Sequence, residues 1–238
     1  MPACIYLIPT LLYEGEKETL PAYILDAVKN CTVFFVENER TARRNLKLMW
    51  KEMIIDNYEW INIKEVTIEV TSKFQQVIRE EKQIGIMSES GCPGVADPGQ
   101  QLVHIAQEMN TEVKPLVGPN SILLALMASG MNGQHFQFHG YLPIDASARV
   151  RAIKQIESES RNNNITQIFI ETPYRNNQLM EALLKTCNPL TEICIAADIT
   201  SKDEMIKTKK VREWKKEIPE LHKRMVVFLV YAGRDENR

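Results

Sequence analysis

An excess of positive charge is the first thing this chain lacks. Its 29 Lys and Arg are outweighed by 31 Asp and Glu, for a formal net charge of −2. No global cationic field therefore draws it onto a polyanion. Basic residues gather only locally, at Arg40-Thr41-Ala42-Arg43-Arg44 and across Lys207–Lys216, so a basic patch stays open. Cysteine is also scarce. The five present (Cys4, Cys31, Cys92, Cys187, Cys194) form no C-x-x-C pair, which excludes a disulfide framework and fits reduced thiols in a cytoplasmic protein. The four His are too scattered for a metal site, and no metal is expected. No apolar run approaches the roughly 18 residues of a spanning helix. The start, Met1-Pro2-Ala3-Cys4-Ile5, lacks the basic and apolar regions of a signal peptide. No membrane partner is expected.

The familiar nucleotide and hydrolase motifs are missing too. There is no G-x-G-x-x-G, no G-x-x-x-x-G-K-[ST] and no G-x-S-x-G, which argues against a nicotinamide enzyme, a P-loop NTPase and an α/β-hydrolase. What is present is a series of short apolar strands, each ending in marked punctuation. Ile84-Gly85-Ile86-Met87 stops at Ser88-Glu89-Ser90-Gly91-Cys92-Pro93-Gly94-Val95-Ala96-Asp97-Pro98-Gly99, after which Gln100–Met109 has helical character. Gly and Pro in that density shape a loop at the carboxyl end of a strand, where open α/β sheets hold ligands. Ile5–Ile8 ends at Pro9-Thr10, and Thr32–Val36 at Glu37-Asn38-Glu39-Arg40. Glu112–Val117 ends at Gly118-Pro119-Asn120-Ser121, ahead of an apolar helix over Ile122–Ser129. Glu65–Val70 alternates as a strand would, and Leu20–Val28 and Lys73–Glu81 read as helices.

In the second half, Phe136–Tyr141, Thr166–Ile170, Glu192–Ala197, Met205–Lys210 and Met225–Tyr231 read as strands. A helix is expected over Ala146–Glu159 with an exposed turn at Ser160–Asn164, a second helix to Thr186, and a short one over Glu213–Glu217. Repeated β–α units predict a parallel sheet in the first half, and consecutive strands predict a mixed sheet in the second. The expected fold class is therefore α/β, with two α/β domains over 1–116 and 117–238 and a boundary near Leu116–Gly118.

Taken in order, these strand ends resemble the tetrapyrrole-methylase superfamily of S-adenosylmethionine (SAM) dependent methyltransferases. Within it they are most similar to the branch that 2′-O-methylates a cytidine ribose of small-subunit ribosomal RNA. That branch shows V-P-T-P-I-G-N, A-E-D-T-R, S-D-A-G-T-P-x-x-S-D-P-G, P-G-P-S/C-A, F-x-G-F-L-P and E-S-P-H-R. The counterparts here are Ile8-Pro9-Thr10, Val36–Arg40, Ser88–Gly99, Val117–Ser121, Phe138–Pro143 and Glu171–Arg175. The chain departs at Thr10-Leu11-Leu12-Tyr13-Glu14-Gly15 in the first loop, and at Asn38, Glu39, Glu89, Cys92 and Tyr174.

The resemblance implies a SAM cleft between the two domains, with Pro9, Cys92, Pro93, Val95, Asn120 and Ser121 as cofactor-binding positions. Transfer to a ribose hydroxyl needs alignment and a proton acceptor, for which Glu37, Glu89 and Glu171 are the strand-end carboxylates. Each of them also suits a purely structural loop contact. Arg40, Arg43 and Arg175 suit phosphate contacts, and an RNA enzyme predicts that they line one basic rim. Cys92 is not read as a nucleophile, and Asp97 is expected to shape its loop. The implied partners are ribosomal RNA or the small ribosomal subunit and a second copy in a homodimer. Two other readings stand beside this one: methylation of a tetrapyrrole or other small molecule, and a SAM-binding module that has lost catalysis.

Overall fold

The computed structural model describes residues 2–233, which divide into two compact units, Met1–Asn120 and Ser121–Arg238. The first holds β1 (Cys4–Ile8), α1 (Ile24–Asn30), β2 (Val33–Val36), α2 (Glu39–Met49), β3 (Glu59–Asn62), α3 (Ile68–Arg79), β4 (Gln83–Met87), α4 (Gly99–Glu108) and β5 (Glu112–Pro115). Its five strands are all parallel, in the order β3-β2-β4-β1-β5. Parallel strands are covered on both faces, which is why VFFV and IGIM read as unbroken apolar runs. Phe35, Ile84 and Ile86 face Phe74, Val77, Leu102 and Ala106 of α3 and α4. The alternate residues Ile8, Phe34, Val36 and Met87 face Ile24 and Val28 of α1 and Ala42 and Leu46 of α2. Gly85 is required on the central strand because a Cβ there would lie 2.6 Å from the Phe34 ring. That ring in turn stacks on Trp60, with centroids 4.9 Å apart.

The second unit holds α5 (Ser121–Ser129), β6 (Phe136–Tyr141), α6 (Ala146–Asn163), β7 (Thr166–Ile170), α7 (Asn176–Thr186), β8 (Glu192–Ala197), β9 (Met205–Lys210), α8 (Val211–Trp214) and β10 (Val226–Tyr231). Its sheet is mixed, in the order β6-β7-β10-β8-β9, with only the β6–β7 pair parallel. Phe169, Ile195 and Phe228 pack against Ile153 and Ile156 of α6 and Leu179 and Leu183 of α7, while α5 lies against β8, β9 and β10.

Two expectations are corrected. Glu65–Val70 is not a strand: the Thr67 hydroxyl accepts from the Val70 amide and caps α3. Thr at an N-cap with Glu69 in the first turn outweighs the period-two alternation. The third strand is instead Glu59–Asn62, pairing with β2. Nor is Ser160–Asn164 a turn, although Arg161–Asn164 are exposed as expected. Helix α6 runs on to Asn163 and ends at a left-handed Asn164. Ser160 is fully buried because its hydroxyl bridges Ile165 O and the Ala232 amide.

Candidate active site

In the first unit the sheet order sets the carboxyl ends of β2, β4 and β1 side by side, so their loops interlock. The Thr10 amide donates to Gly91 O at 2.8 Å, an isolated antiparallel bridge that ties the loop after β1 to the loop after β4. The Ser90 hydroxyl adds a bond to Leu11 O at 3.3 Å. Gly91 needs its glycine, with φ at +76° and the Leu12 side chain and Pro119 O where a Cβ would stand. The chain after β5 joins the same cluster. The Cys92 thiol donates to Gly118 O and Pro119 O at 3.6 and 3.4 Å. Gly118 lies on the ring of Pro9, with a notional Cβ only 2.1 Å from it. The Tyr23 hydroxyl accepts from the Val117 amide at 2.6 Å. Pro9, Cys92, Pro93, Val95 and Asn120 thus fall in one loop cluster of the first unit. Ser121 follows at once in sequence and begins α5.

Asp97 holds the far side of the central loop. Its carboxylate accepts from the Gly94 and Gly99 amides at 2.9 and 2.7 Å, and Ala96 beside it takes φ of 60°. Burial pushes this carboxyl above the usual aspartate range, against the pull of those two amides. A raised acid contributes stability that is fully present below its unfolded value and lost as pH climbs through the folded one. Asp97→Asn removes that titration. Relative to it, wild-type stability is expected to fall as pH rises above about 4, measured by urea unfolding at each pH. Burial pushes the Cys92 thiol up as well, so it stays neutral.

The carboxylates differ sharply in their surroundings. Glu37 Oε2 accepts from the backbone amide of Glu89 at 2.8 Å, while Asn38 donates to Glu89 Oε1 at 3.2 Å and caps α2 through its other side-chain atom. Glu89 is exposed and held by its neighbours. Glu171 belongs to the second unit and is buried. Its Oε1 takes the Thr172 amide at 2.7 Å and Arg175 through Nε at 3.0 Å and Nη2 at 2.6 Å, while Oε2 has no partner among the described residues. Replacing Glu171 with Ala is expected to cost about 2–3 kcal/mol by urea unfolding. That is below the usual cost of splitting a buried pair, because the Arg175 side chain keeps 26% exposure and can turn to water.

The three arginines are not equivalent either. Arg43 pairs with Glu39 and lies over the Trp60 ring, 5.1 Å from its centroid. Arg175 is bound to Glu171. Arg40 is exposed and has no ion-pair partner among the described residues. The Trp60 shelf and the Tyr23 bond escape sequence reading because both depend on strand order. The loop after β8 escapes it as well. There Asp198 and Thr200 take φ of 49° and 74°, and the buried Thr200 hydroxyl has no partner among the described residues. A β-branched residue in that region marks stored strain.

With this geometry in hand, the comparisons assign the chain to a class. Residues 15–215 match the tetrapyrrole (corrin/porphyrin) methylase family model, and the chain belongs to that family of methyltransferases. Ribosomal RNA small subunit methyltransferase I of Buchnera aphidicola (subspecies Schizaphis graminum) is 25% identical over 98% of this chain and 79% of its own length. The protein of that name from Vibrio cholerae is 32% identical over 64% of this chain and 52% of its own length, so the chain spans about half of that relative. The crystal structure of the methyltransferase CobJ shares the fold, with a TM-score of 0.63 at 18% identity, covering 97% of this chain and 93% of its own.

Proposed function

We propose that the chain is a SAM-dependent methyltransferase that methylates a ribose 2′-hydroxyl of ribosomal RNA in the small subunit. The cytoplasm is its proposed location and a homodimer its proposed assembly. The observation that carries the reading is the loop cluster of the first unit, where Pro9, Cys92 and Gly118 are locked together behind the Ser88–Gly99 loop. The residues suit an adenosyl ligand. Gly94 takes φ of +83° with open space on its Cβ side, and Val95 offers an apolar wall that is 45% exposed. Cys92 is a neutral thiol that neither repels nor attacks a sulfonium. SAM supplies an activated methyl group when bound, and Pro9, Cys92, Pro93, Val95, Asn120 and Ser121 are the proposed contacts.

The protein's own work is orientation and proton removal. Glu89 suits the proton acceptor, since it is exposed, sits at a strand end, and is held through its amide by Glu37 and through Oε1 by Asn38. Glu37 then positions Glu89, and Glu171 positions Arg175 for a phosphate. Arg40, which has no ion-pair partner among the described residues, is best suited to a second phosphate. Arg40→Ala is expected to weaken RNA binding evenly across sequences and to reduce the salt slope by about one, read from binding isotherms at several salt concentrations. The direct test is transfer of labelled methyl from SAM to unmethylated small ribosomal subunits, with mapping of the product. SAM binding without labelling of ribosomal RNA sinks the RNA assignment, and no SAM binding sinks the whole reading.

A further inference from the structure

A recess lies in the Ser121–Arg238 unit near the carboxyl end of β6, where Tyr141 pairs with Ile170, the residue before Glu171. Helix α6 overhangs the edge strand β6, and between them opens a groove of about 220 Å³. Leu142, Ala152 and Ile156 supply apolar parts of its lining, beside the polar His139, Gln155 and Glu159. A β-bulge between Phe138 and Tyr141, with Gly140 at φ of +66°, turns His139 and Tyr141 so that both line the groove. Tyr141 is 59% exposed, an aromatic ring that the fold leaves uncovered. On the helix side, Gln155 donates to Glu159 Oε1 at 2.8 Å, which fixes this carboxylate and leaves its second oxygen as an acceptor.

The polar side of the groove is anchored from below. His139 Nε2 lies 2.5 Å from Oε1 of Gln167 on the neighbouring strand. Gln167 is completely buried, and its own Nε2 has no acceptor among the described residues. With Nε2 donating to Gln167, the other ring nitrogen of His139 is left as an acceptor. The recess therefore combines apolar lining residues, one exposed aromatic ring and acceptors on Glu159 and His139. Arg151, exposed one helical turn before Gln155, supplies a nearby cation.

We propose that this groove receives one unpaired nucleobase of the RNA, stacked against Tyr141 with an exocyclic amino group directed at Glu159. The inference rests on the RNA substrate argued above and adds a base contact that none of the residues proposed for methyl transfer makes. An unpaired base buries its faces and offers its edge to polar groups, which is how proteins read single-stranded RNA. Glu159 makes the groove selective, because a carboxylate accepts from an amino group and repels the carbonyl that replaces it in uracil.

The test measures binding of short oligocytidylate and oligouridylate, whose bases differ in the 4-amino against 4-carbonyl group and in N3 as acceptor against N3–H, by fluorescence anisotropy with the full chain. Oligocytidylate is expected to bind about tenfold more tightly, within the range of one such contact. Glu159→Gln should erase that preference, Tyr141→Ala should weaken both ligands, and Tyr141→Phe should bind as the wild type does. Far-ultraviolet circular dichroism checks that each variant is folded. Equal binding of the two oligonucleotides, or a preference that survives Glu159→Gln, overturns the proposal. Methyl transfer to small subunits is measured alongside. Cytidine preference without transfer supports the groove and counts against the ribosomal substrate, whereas transfer without preference does the reverse.

Discussion

Gly118→Ala is expected to be severely damaging although it adds a single methyl group. Its Cβ would stand 2.1 and 2.4 Å from ring carbons of Pro9. Neither side can yield easily, since Pro9 is a buried, rigid ring just past β1 and Gly118 O accepts from Cys92. Overpacking at such a point is expected to cost at least the upper end of the usual range, about 3 kcal/mol. The larger effect falls on function. Separating the loops after β1 and β5 by even an ångström displaces the proposed cofactor contacts, and methyl transfer at limiting SAM should fall about 10²-fold. Urea unfolding and calorimetry with SAM report the two effects. Gly133→Ala, where a Cβ meets nothing within 4 Å, is the matched control and should be near neutral.

Glu89→Gln should give the other large effect, confined to the chemical step. The amide is isosteric and still accepts from Asn38, so the loop keeps its shape. It no longer takes a proton from a hydroxyl. A general base contributes typically 10²–10⁴-fold, and kcat should fall by about 10² or more with the affinity for SAM unchanged. Glu37→Gln is expected to fall less, because its amide group can still accept from the Glu89 N–H. Equal losses in both would assign the proton to the pair. No loss in Glu89→Gln would remove it from the mechanism. Single-turnover methylation separates these outcomes.

The architecture was legible wherever a strand is buried on both faces. Thr32–Val36, Ile84–Met87 and Met225–Tyr231 are continuous apolar runs because helices cover the sheet, and the parallel and mixed sheets follow from the spacing of such runs. Legibility failed where a local signal and a tertiary one compete. Glu59-Trp60-Ile61-Asn62 is too short to show a period, yet β2 gives it pairing partners. Glu65–Val70 has the period, yet the Thr67 cap decides its fate. Ser160 is polar in sequence and buried in space.

At the site, the central loop could be read from Gly and Pro alone. Its ties could not, because Thr10 to Gly91, Glu37 to Glu89 and Cys92 to Pro119 join residues 81, 52 and 27 positions apart. The arginines show the same limit. Sequence placed three cations near strand ends, and the fold commits Arg43 and Arg175 to partners of their own.

The bridge between Thr10 and Gly91 divides the first loop into two parts with different freedom. Thr10 is fully buried and fastened by its backbone, so its amide should exchange with deuterium as slowly as the sheet beneath it. Tyr13, Glu14 and Gly15 lie beyond that fastening and are not buried. A Pro-Ile-Gly-Asn run can therefore give way to Leu11-Leu12-Tyr13-Glu14 without disturbing the anchor. The anchor is a backbone contact, and it tolerates drift in the side chains that follow it.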